Sequence, residues 1–158
     1  MKISMIGSGN LATNLADALF KSGHDIVNIY SRNIHHATML AERVGGLPVD
    51  DLSRLSPLAE VFILSVSDAA LPTLIPQLCK GREERIFLHT AGSPKEEQNA
   101  SAKAITDRKG CGCLGTYCCR GFDTFGPFKL IGGLGKGHPD QKEINEAVRF
   151  FESICADR

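Results

Sequence analysis

The chain has 158 residues, and its 18 basic and 18 acidic side chains give a formal net charge of zero. This balance argues against a nucleic-acid or membrane-surface partner, and no apolar run is long enough to cross a membrane. The length suits one domain with a hydrophobic core. Because the first residues predict a strand rather than a signal peptide, we expect a cytoplasmic protein with reduced cysteines.

The chain opens on a strand, a glycine-rich turn and a helix. An apolar run over residues 2–6 leads into the turn, and apolar side chains then recur at helical spacing over residues 11–19. Gly7 allows a sharp turn, Gly9 leaves room for a phosphate, and Ala12 lets the helix pack closely on the strand. This pattern predicts a dinucleotide site with the pyrophosphate at the helix N-terminus, the alternative being a similar unit without a ligand.

The end of the second strand, residues 26–30, indicates which dinucleotide is bound. NAD sites usually place an acidic residue there, which hydrogen-bonds the ribose 2′-hydroxyl. This chain has Ser31, Arg32 and Asn33 instead. The guanidinium of Arg32 suits a 2′-phosphate, and the other two side chains add neutral donors. We therefore expect NADP rather than NAD, the alternative being that Arg32 is a solvated surface side chain.

Helices and strands continue to alternate after this unit. We predict a helix over 36–44, a strand over 47–49, a turn at 50–51, a short helix or loop over 52–59, a strand over 61–66, a helix over 69–78 and a strand over 85–89. This alternation predicts an α/β fold with a doubly wound, mostly parallel sheet, the Rossmann fold, in a single domain over residues 1–158.

Ligands of such sheets bind at the carboxyl ends of the strands, so the polar clusters at those ends form one candidate site. The candidate cofactor-binding residues are Gly7, Ser8, Gly9, Asn10, Leu11, Ala12, Ser31, Arg32, Asn33, Ser65, Val66, Ser67, Asp68, His89, Thr90 and Ala91. Asp68 could instead cap the helix that follows it. His89 is a candidate general acid, although a structural hydrogen bond would explain it as well, and the catalytic residues stay open.

Residues 94–127 give no regular pattern, and they contain four cysteines, Cys111, Cys113, Cys118 and Cys119. Their spacing is not that of paired Cys-x-x-Cys zinc motifs, so we expect reduced thiols and no metal. We also expect no metal at His35 and His36, because adjacent side chains on a helix point in different directions. A solvated pair near the adenine edge is the better interpretation of these two histidines.

The last part of the chain predicts a strand over 128–131, a flexible glycine-rich connection over 132–137 and a final helix. Asp140 and Glu143 have the spacing of a capping box at the start of that helix. Its apolar side chains form one stripe, comprising Ile144, Ala147, Val148, Phe151 and Ile154. We expect the stripe to be left uncovered and to favour association, the alternative being that it packs on the chain's own sheet.

Four motifs together point to a family: Ile6-Gly-Ser-Gly-Asn-Leu-Ala12, Tyr30-Ser-Arg-Asn33, the strand that ends in Ser67-Asp68, and His89-Thr-Ala-Gly-Ser93. They resemble the cofactor-binding half of a bacterial family of Rossmann-like NADP oxidoreductases. That family is similar to pyrroline-5-carboxylate reductase and carries a helical C-terminal domain. The resemblance covers residues 1–93, whereas residues 99–125 depart from the pattern.

The resemblance implies hydride transfer between NADPH and a C=N or C=O carbon of a small metabolite. It also implies that a helical domain, often across a dimer interface, supplies much of the substrate pocket. We therefore expect a homodimer or a helical-domain partner. The alternative functions are a non-catalytic module that binds or senses NADP, and a cysteine-based metal or redox protein.

Overall fold

A computed structural model describes residues 1–82, 84–90 and 139–156 of the chain. The described elements are β1 (Lys2–Ile6), α1 (Asn10–Lys21), β2 (Asp25–Tyr30), α2 (Ile34–Val44), β3 (Leu47–Val49), a 3-10 helix (Leu52–Arg54), β4 (Val61–Leu64), a second 3-10 helix (Asp68–Ala70), α3 (Leu71–Cys79), β5 (Ile86–His89) and α4 (Gln141–Ala156). The predicted strand over 128–131, the glycine-rich connection and the cluster of four cysteines lie outside the described residues.

The five described strands form one parallel sheet in the order β3-β2-β1-β4-β5. The strand β1 is central. The strands β2 and β3 lie in that order on one side of it, and β4 and β5 lie in that order on the other. The order therefore reverses between β1 and β4, which is the point where ligands bind in open α/β sheets. The predicted doubly wound parallel fold is confirmed.

Hydrophobic side chains cover both faces of the sheet, because successive residues of a strand point to opposite faces. On one face, Ile3 and Met5 of β1 pack with residues of α1, α2 and α4. On the other face, Ile6 and Phe62 pack with α3 and with the segment that follows β3. Burial on both faces explains why β4 is a continuous apolar run rather than an alternating one.

A buried amide holds the segment between β3 and β4 against the sheet. Asn28 of β2 is 1% exposed, and its Oδ1 accepts a hydrogen bond from the backbone N–H of Ser56 at 2.6 Å. Its Nδ2 donates to the carbonyl oxygen of Leu47 at 3.4 Å. The segment anchored in this way brings residues 50–52 beside the end of β2, where they contribute to the candidate site.

The helix α2 begins at Ile34, two residues earlier than predicted. The reason is the side chain of Asn33, which caps the helix by accepting a hydrogen bond from the backbone N–H of His35 at 3.0 Å. The capping box of α4 is confirmed. Asp140 accepts from the backbone N–H of Glu143 at 2.8 Å, and Glu143 accepts from that of Asp140 at 2.9 Å.

The apolar stripe of α4 is not left uncovered, so that expectation is wrong. Val148 and Phe151 are 8% and 2% exposed and join the cluster that α1 and α2 form on the sheet. Ile144 and Ile154 are half-buried. Packing on α1 removes Val148 and Phe151 from water, so these two side chains do not argue for association. Among the described residues, no helix has the length and apolar character to cross a membrane.

Candidate functional site

The turn after β1 is held against the end of β4. Gly7 has a φ of +118°, and its N–H donates a hydrogen bond to the carbonyl oxygen of Tyr30 at 2.8 Å. A methyl carbon on Gly7 would lie 2.8 Å from the carbonyl carbon of Ser65 and closer still to its oxygen. Only glycine fits both the backbone conformation and the contact, so the ends of β1 and β4 meet here.

The second glycine of the turn has a different environment. Gly9 has ordinary extended dihedral angles, and no atom of the described residues lies within 4 Å of the position that a Cβ would take. Packing within the described part of the chain therefore gives no reason for glycine at this position. Gly9 also caps α1 without a side-chain hydrogen bond, and the first turn of α1 has no acidic residue. This open, electropositive helix end suits an anion.

The polar residues after β2 hydrogen-bond to one another. The hydroxyl of Ser8 donates to Oγ of Ser31 at 2.9 Å, and the backbone N–H of Asn33 donates to the same Oγ at 3.3 Å. With Asn33 also capping α2, both predicted neutral donors take part in holding this loop. Arg32 is exposed, and none of the described residues forms an ion pair or hydrogen bond with its guanidinium.

These loops surround a cavity of about 780 Å³ at the carboxyl ends of β1, β2 and β4. The predicted site residues that line it are Gly7, Ser8, Ser31, Arg32, Ser65, Val66 and Ser67. The sequence did not single out the other lining residues, which are Tyr30, Asp50, Asp51, Leu52, Ala69, Ala70, Thr73, Leu74 and Gln77. His36, expected near the adenine edge, also lines the cavity. Loops distant in sequence thus form one site.

Other predicted residues with a described position do not line the cavity, and they are Gly9, Asn10, Leu11, Ala12, Asn33, His89 and Thr90. Ala12 is fully buried, which matches the close helix packing expected of a small residue there. Asp68 begins the second 3-10 helix. Ala91 lies outside the described residues. The assignment of these residues to a cofactor stays a prediction.

Two hydroxyl groups connect the cavity to the end of β5. The Oγ atoms of Ser65 and Thr90 lie 2.6 Å apart, at hydrogen-bonding distance, and the N–H of Thr90 donates to the carbonyl oxygen of Leu64 at 3.0 Å. His89 is the last residue of β5 and pairs with Leu64 in the sheet. Ser65 therefore links the cavity lining to the residue that follows His89, whose catalytic role stays a prediction.

Two carboxylates that the sequence did not place near the site lie at the edge of the cavity. Because β3 runs parallel to β2, Asp50 and Asp51 follow β3 on the same side as Arg32 follows β2. Asp50 forms an ion pair with Arg54 at 3.6 Å. The backbone N–H of Ser53 donates to Asp51 at 2.8 Å, and this hydrogen bond lowers the pKa of Asp51. Each carboxylate thus has its own partner within the chain.

No group of three or more histidine, cysteine or acidic side chains in the described ranges is arranged to hold a metal ion. The described lining of the cavity presents hydroxyl groups, backbone amides, one guanidinium, one imidazole, one side-chain amide and two carboxylates. Such groups hold phosphates and hydrogen-bond sugars and bases.

Comparison with known proteins identifies the family. Residues 2–92 match the family described as NADP oxidoreductase, coenzyme F420-dependent. The chain is 35% identical over 82 residues to the uncharacterized protein MJ0298 of Methanocaldococcus jannaschii, an alignment that covers 51% of this chain and 55% of that protein.

Solved structures show the same fold. A Bacteroides fragilis protein named as a candidate NADP oxidoreductase is 44% identical, with a TM-score of 0.55 over 58% of this chain and 36% of that one. A Corynebacterium glutamicum myo-inositol dehydrogenase, 19% identical with a TM-score of 0.58 over 83% and 39% of the two chains, shares the fold alone. The chain thus spans about half the length of its Methanocaldococcus relative and less of the two solved proteins. It belongs to the NAD(P)-dependent oxidoreductase family that is described as NADP oxidoreductase, coenzyme F420-dependent.

Proposed function

We propose that this chain binds NADP(H) and takes part in hydride transfer to or from a C=N or C=O carbon of a small metabolite. The observation that carries the proposal is the single cavity shared by the glycine turn at Gly7, the Arg32 loop and residues 65–67. These are the loops that hold the two halves of a dinucleotide in sheets of this topology.

The choice of NADP over NAD rests on two side chains. Arg32, in the loop after β2, and His36, in the first turn of α2, both line the cavity. Neither has a carboxylate partner among the described residues. The first turn of α2 has no acidic residue, so no carboxylate there offsets the positive end of the helix dipole. A 2′-phosphate is an anion that fits this position.

The pyrophosphate site rests on Gly9. The space in front of its Cα is open, and the uncapped N-terminus of α1 adjoins it. A phosphate there would accept hydrogen bonds from backbone N–H groups that no described side chain caps. This arrangement fits the dinucleotide that the family description implies.

A bound reduced nicotinamide supplies the hydride in such chemistry. The hydroxyl pair of Ser65 and Thr90 lies at the end of the cavity where β4 and β5 finish, and we propose that it positions that ring. The family resemblance supports a pocket of the pyrroline-5-carboxylate reductase type, completed by a helical domain from a partner. The family description adds coenzyme F420 to the hydride donors and acceptors worth testing.

The binding test is a fluorescence titration with NADPH and NADH. We expect the native protein to prefer NADPH, and Arg32→Ala to lose most of the preference, because a charge-assisted hydrogen bond is worth roughly tenfold to hundredfold in affinity. Arg149→Ala, on the exposed side of α4, is the matched control and keeps the preference. Equal affinities in the native protein would rule out the NADP assignment.

Turnover distinguishes an enzyme from a binding module. NADPH oxidation is followed with cyclic imines, small keto acids and coenzyme F420, with the chain alone and with a helical-domain partner. Oxidation in either condition supports the oxidoreductase. Tight NADPH binding without turnover in any of them would favour the module that binds or senses NADP.

A further inference from the structure

The cavity has a polar end on α3 that the proposed function does not use. Thr73 and Gln77 both line it, one helical turn apart, and both side chains are exposed. The amide nitrogen of Gln77 donates a hydrogen bond to the backbone carbonyl oxygen of Thr73 at 2.9 Å. This bond fixes one end of the amide against the helix.

This hydrogen bond also determines which atom of the Gln77 amide remains available to a ligand. A carbonyl oxygen can only accept, so the atom that faces Thr73 must be the nitrogen of Gln77. The oxygen Oε1 then remains as an acceptor, and no described residue donates a hydrogen bond to it. A ligand group that complements this end of the cavity is therefore a hydrogen-bond donor.

The neighbouring side chains suit a flat ring. Leu74 of α3, Leu52 of the first 3-10 helix and Tyr30 of β2 are half-buried and line the same cavity. Apolar walls of this kind accommodate a planar base, and polar groups at their edge fix its orientation. Adenine fits both requirements, because it has apolar faces and carries one donor group, the 6-amino group.

We propose that Gln77 selects the adenine base of the dinucleotide by accepting a hydrogen bond from its 6-amino group at Oε1. The inference rests on the proposed function, because the adenosine half must occupy this cavity. Hypoxanthine carries an oxygen in place of the amino group. That oxygen would face Oε1 as a second acceptor, and both would lose their hydrogen bonds.

Each of the two carboxylates at the cavity has a partner within its own segment. The carboxylate of Asp50 pairs with Arg54, and that of Asp51 accepts from the backbone of Ser53. Both belong to the segment after β3, whereas Gln77 lies on α3. The amide oxygen of Gln77 lies on the same helix as Leu74, which forms part of the apolar wall.

The test compares NADPH with its hypoxanthine counterpart, in which a carbonyl oxygen replaces the 6-amino group and N1 carries a hydrogen. Both carry a reduced nicotinamide, so the fluorescence of that ring follows both titrations. We expect the native protein to bind NADPH about tenfold more tightly, since one hydrogen bond is lost and an acceptor is left unpaired. Gln77→Met, which removes the acceptor at similar length, is expected to bind the two nucleotides equally.

Gln141→Met is the matched control, since it makes the same change on an exposed position of α4 away from the cavity. It should keep the native preference. Tight NADPH binding without any preference over the hypoxanthine nucleotide would overturn the inference and leave the proposed function standing. A preference that survives in Gln77→Met would also overturn it. If the native protein binds neither nucleotide, both the proposed function and this inference fail.

Discussion

The imidazole of His24 stands edge-on to the phenyl ring of Phe151, with ring centroids 5.1 Å apart and planes at 78°. His24 lies between α1 and β2, and Phe151 lies on α4, so the contact joins the connection after α1 to the last described helix. Nε2 of His24 is 3.8 Å from a carboxylate oxygen of Glu152, and Nδ1 is 3.4 Å from the amino group of Met1. The imidazole of His24, a titratable group, thus connects α4 to the segment between α1 and β2.

This attachment predicts a loss of stability in mild acid. Burial lowers the pKa of His24, the amino group of Met1 acts in the same direction, and Glu152 opposes them. The unfolded chain therefore takes up the proton first as the pH falls, and protonation favours unfolding. The contribution of His24 is complete above its ordinary pKa of 6.5 and is lost as the pH falls from there through its folded value.

Thermal unfolding followed by circular dichroism between about pH 7.5 and pH 5.5 checks this prediction. The melting temperature of the native protein should fall over this range, and that of His24→Gln should fall less. Glu152→Gln is the opposite control, because losing the carboxylate lowers the pKa of His24 further and should increase the acid sensitivity. An equal fall in the native protein and His24→Gln would contradict the prediction.

The burial of Phe151 predicts that α4 contributes to global stability. Phe151→Ala should lower the free energy of unfolding by about 3–5 kcal/mol, the usual cost of removing a buried aromatic ring. Phe20→Ala, at a position that is 46% exposed, is the matched control and should cost less than about 1 kcal/mol. Urea denaturation measures both. Similar small losses would mean that α4 is not part of the cooperative core.

A side chain added at either glycine of the turn is expected to change a different property, which is stability at Gly7 and NADPH binding at Gly9. Gly7→Ala should destabilise the protein by about 2–4 kcal/mol, because its φ is positive and the new carbon meets the backbone of Ser65. Gly9→Val meets no described atom, so the sheet should stay folded while NADPH affinity falls at least about tenfold. Circular dichroism and fluorescence titration separate the two effects. Undiminished NADPH binding by folded Gly9→Val would place the phosphate site elsewhere.

Association of the chain with itself is a proposal that rests on the apolar side chains of α4 that are still partly exposed. Val148 and Phe151 are buried, whereas Ile144, Phe150 and Ile154 are half-buried and leave some apolar surface for a second copy. Sedimentation velocity over a concentration series should show dimer formation, weakened in Ile154→Ser. One monomeric species at every concentration would contradict the proposed homodimer.

The first unit of the fold was predictable because its signals are local. The turn at Gly7 and Gly9, the helical spacing after it and the next strand lie within 30 residues, and each restricts the backbone on its own. The helix cap at Asn33 was missed because its side chain was assigned to the ligand. An asparagine before a helix is an ordinary capping signal, and it would have predicted the correct start of α2.

The rest of the cavity could not be predicted, because it depends on how distant segments pack. Asp51 comes beside Arg32 only because β3 pairs with β2, and Gln77 faces the cavity only through the orientation of α3. The burial of Phe151 could not be predicted for the same reason, because it also depends on tertiary packing. An amphipathic pattern identifies the apolar face of a helix, but the surface that this face contacts is a property of the folded chain.

The hydrogen bond between Ser8 and Ser31 joins the glycine turn to the loop that carries Arg32. The two segments that would hold the pyrophosphate and the 2′-phosphate therefore have a fixed spacing before any nucleotide arrives. A preorganised pair of loops spares the entropy of ordering them during binding, so more of the interaction energy is retained as affinity. The pyrophosphate and the 2′-phosphate of a dinucleotide would meet two anion sites at a set separation. A nucleotide whose phosphates are spaced differently would contact only one of these sites.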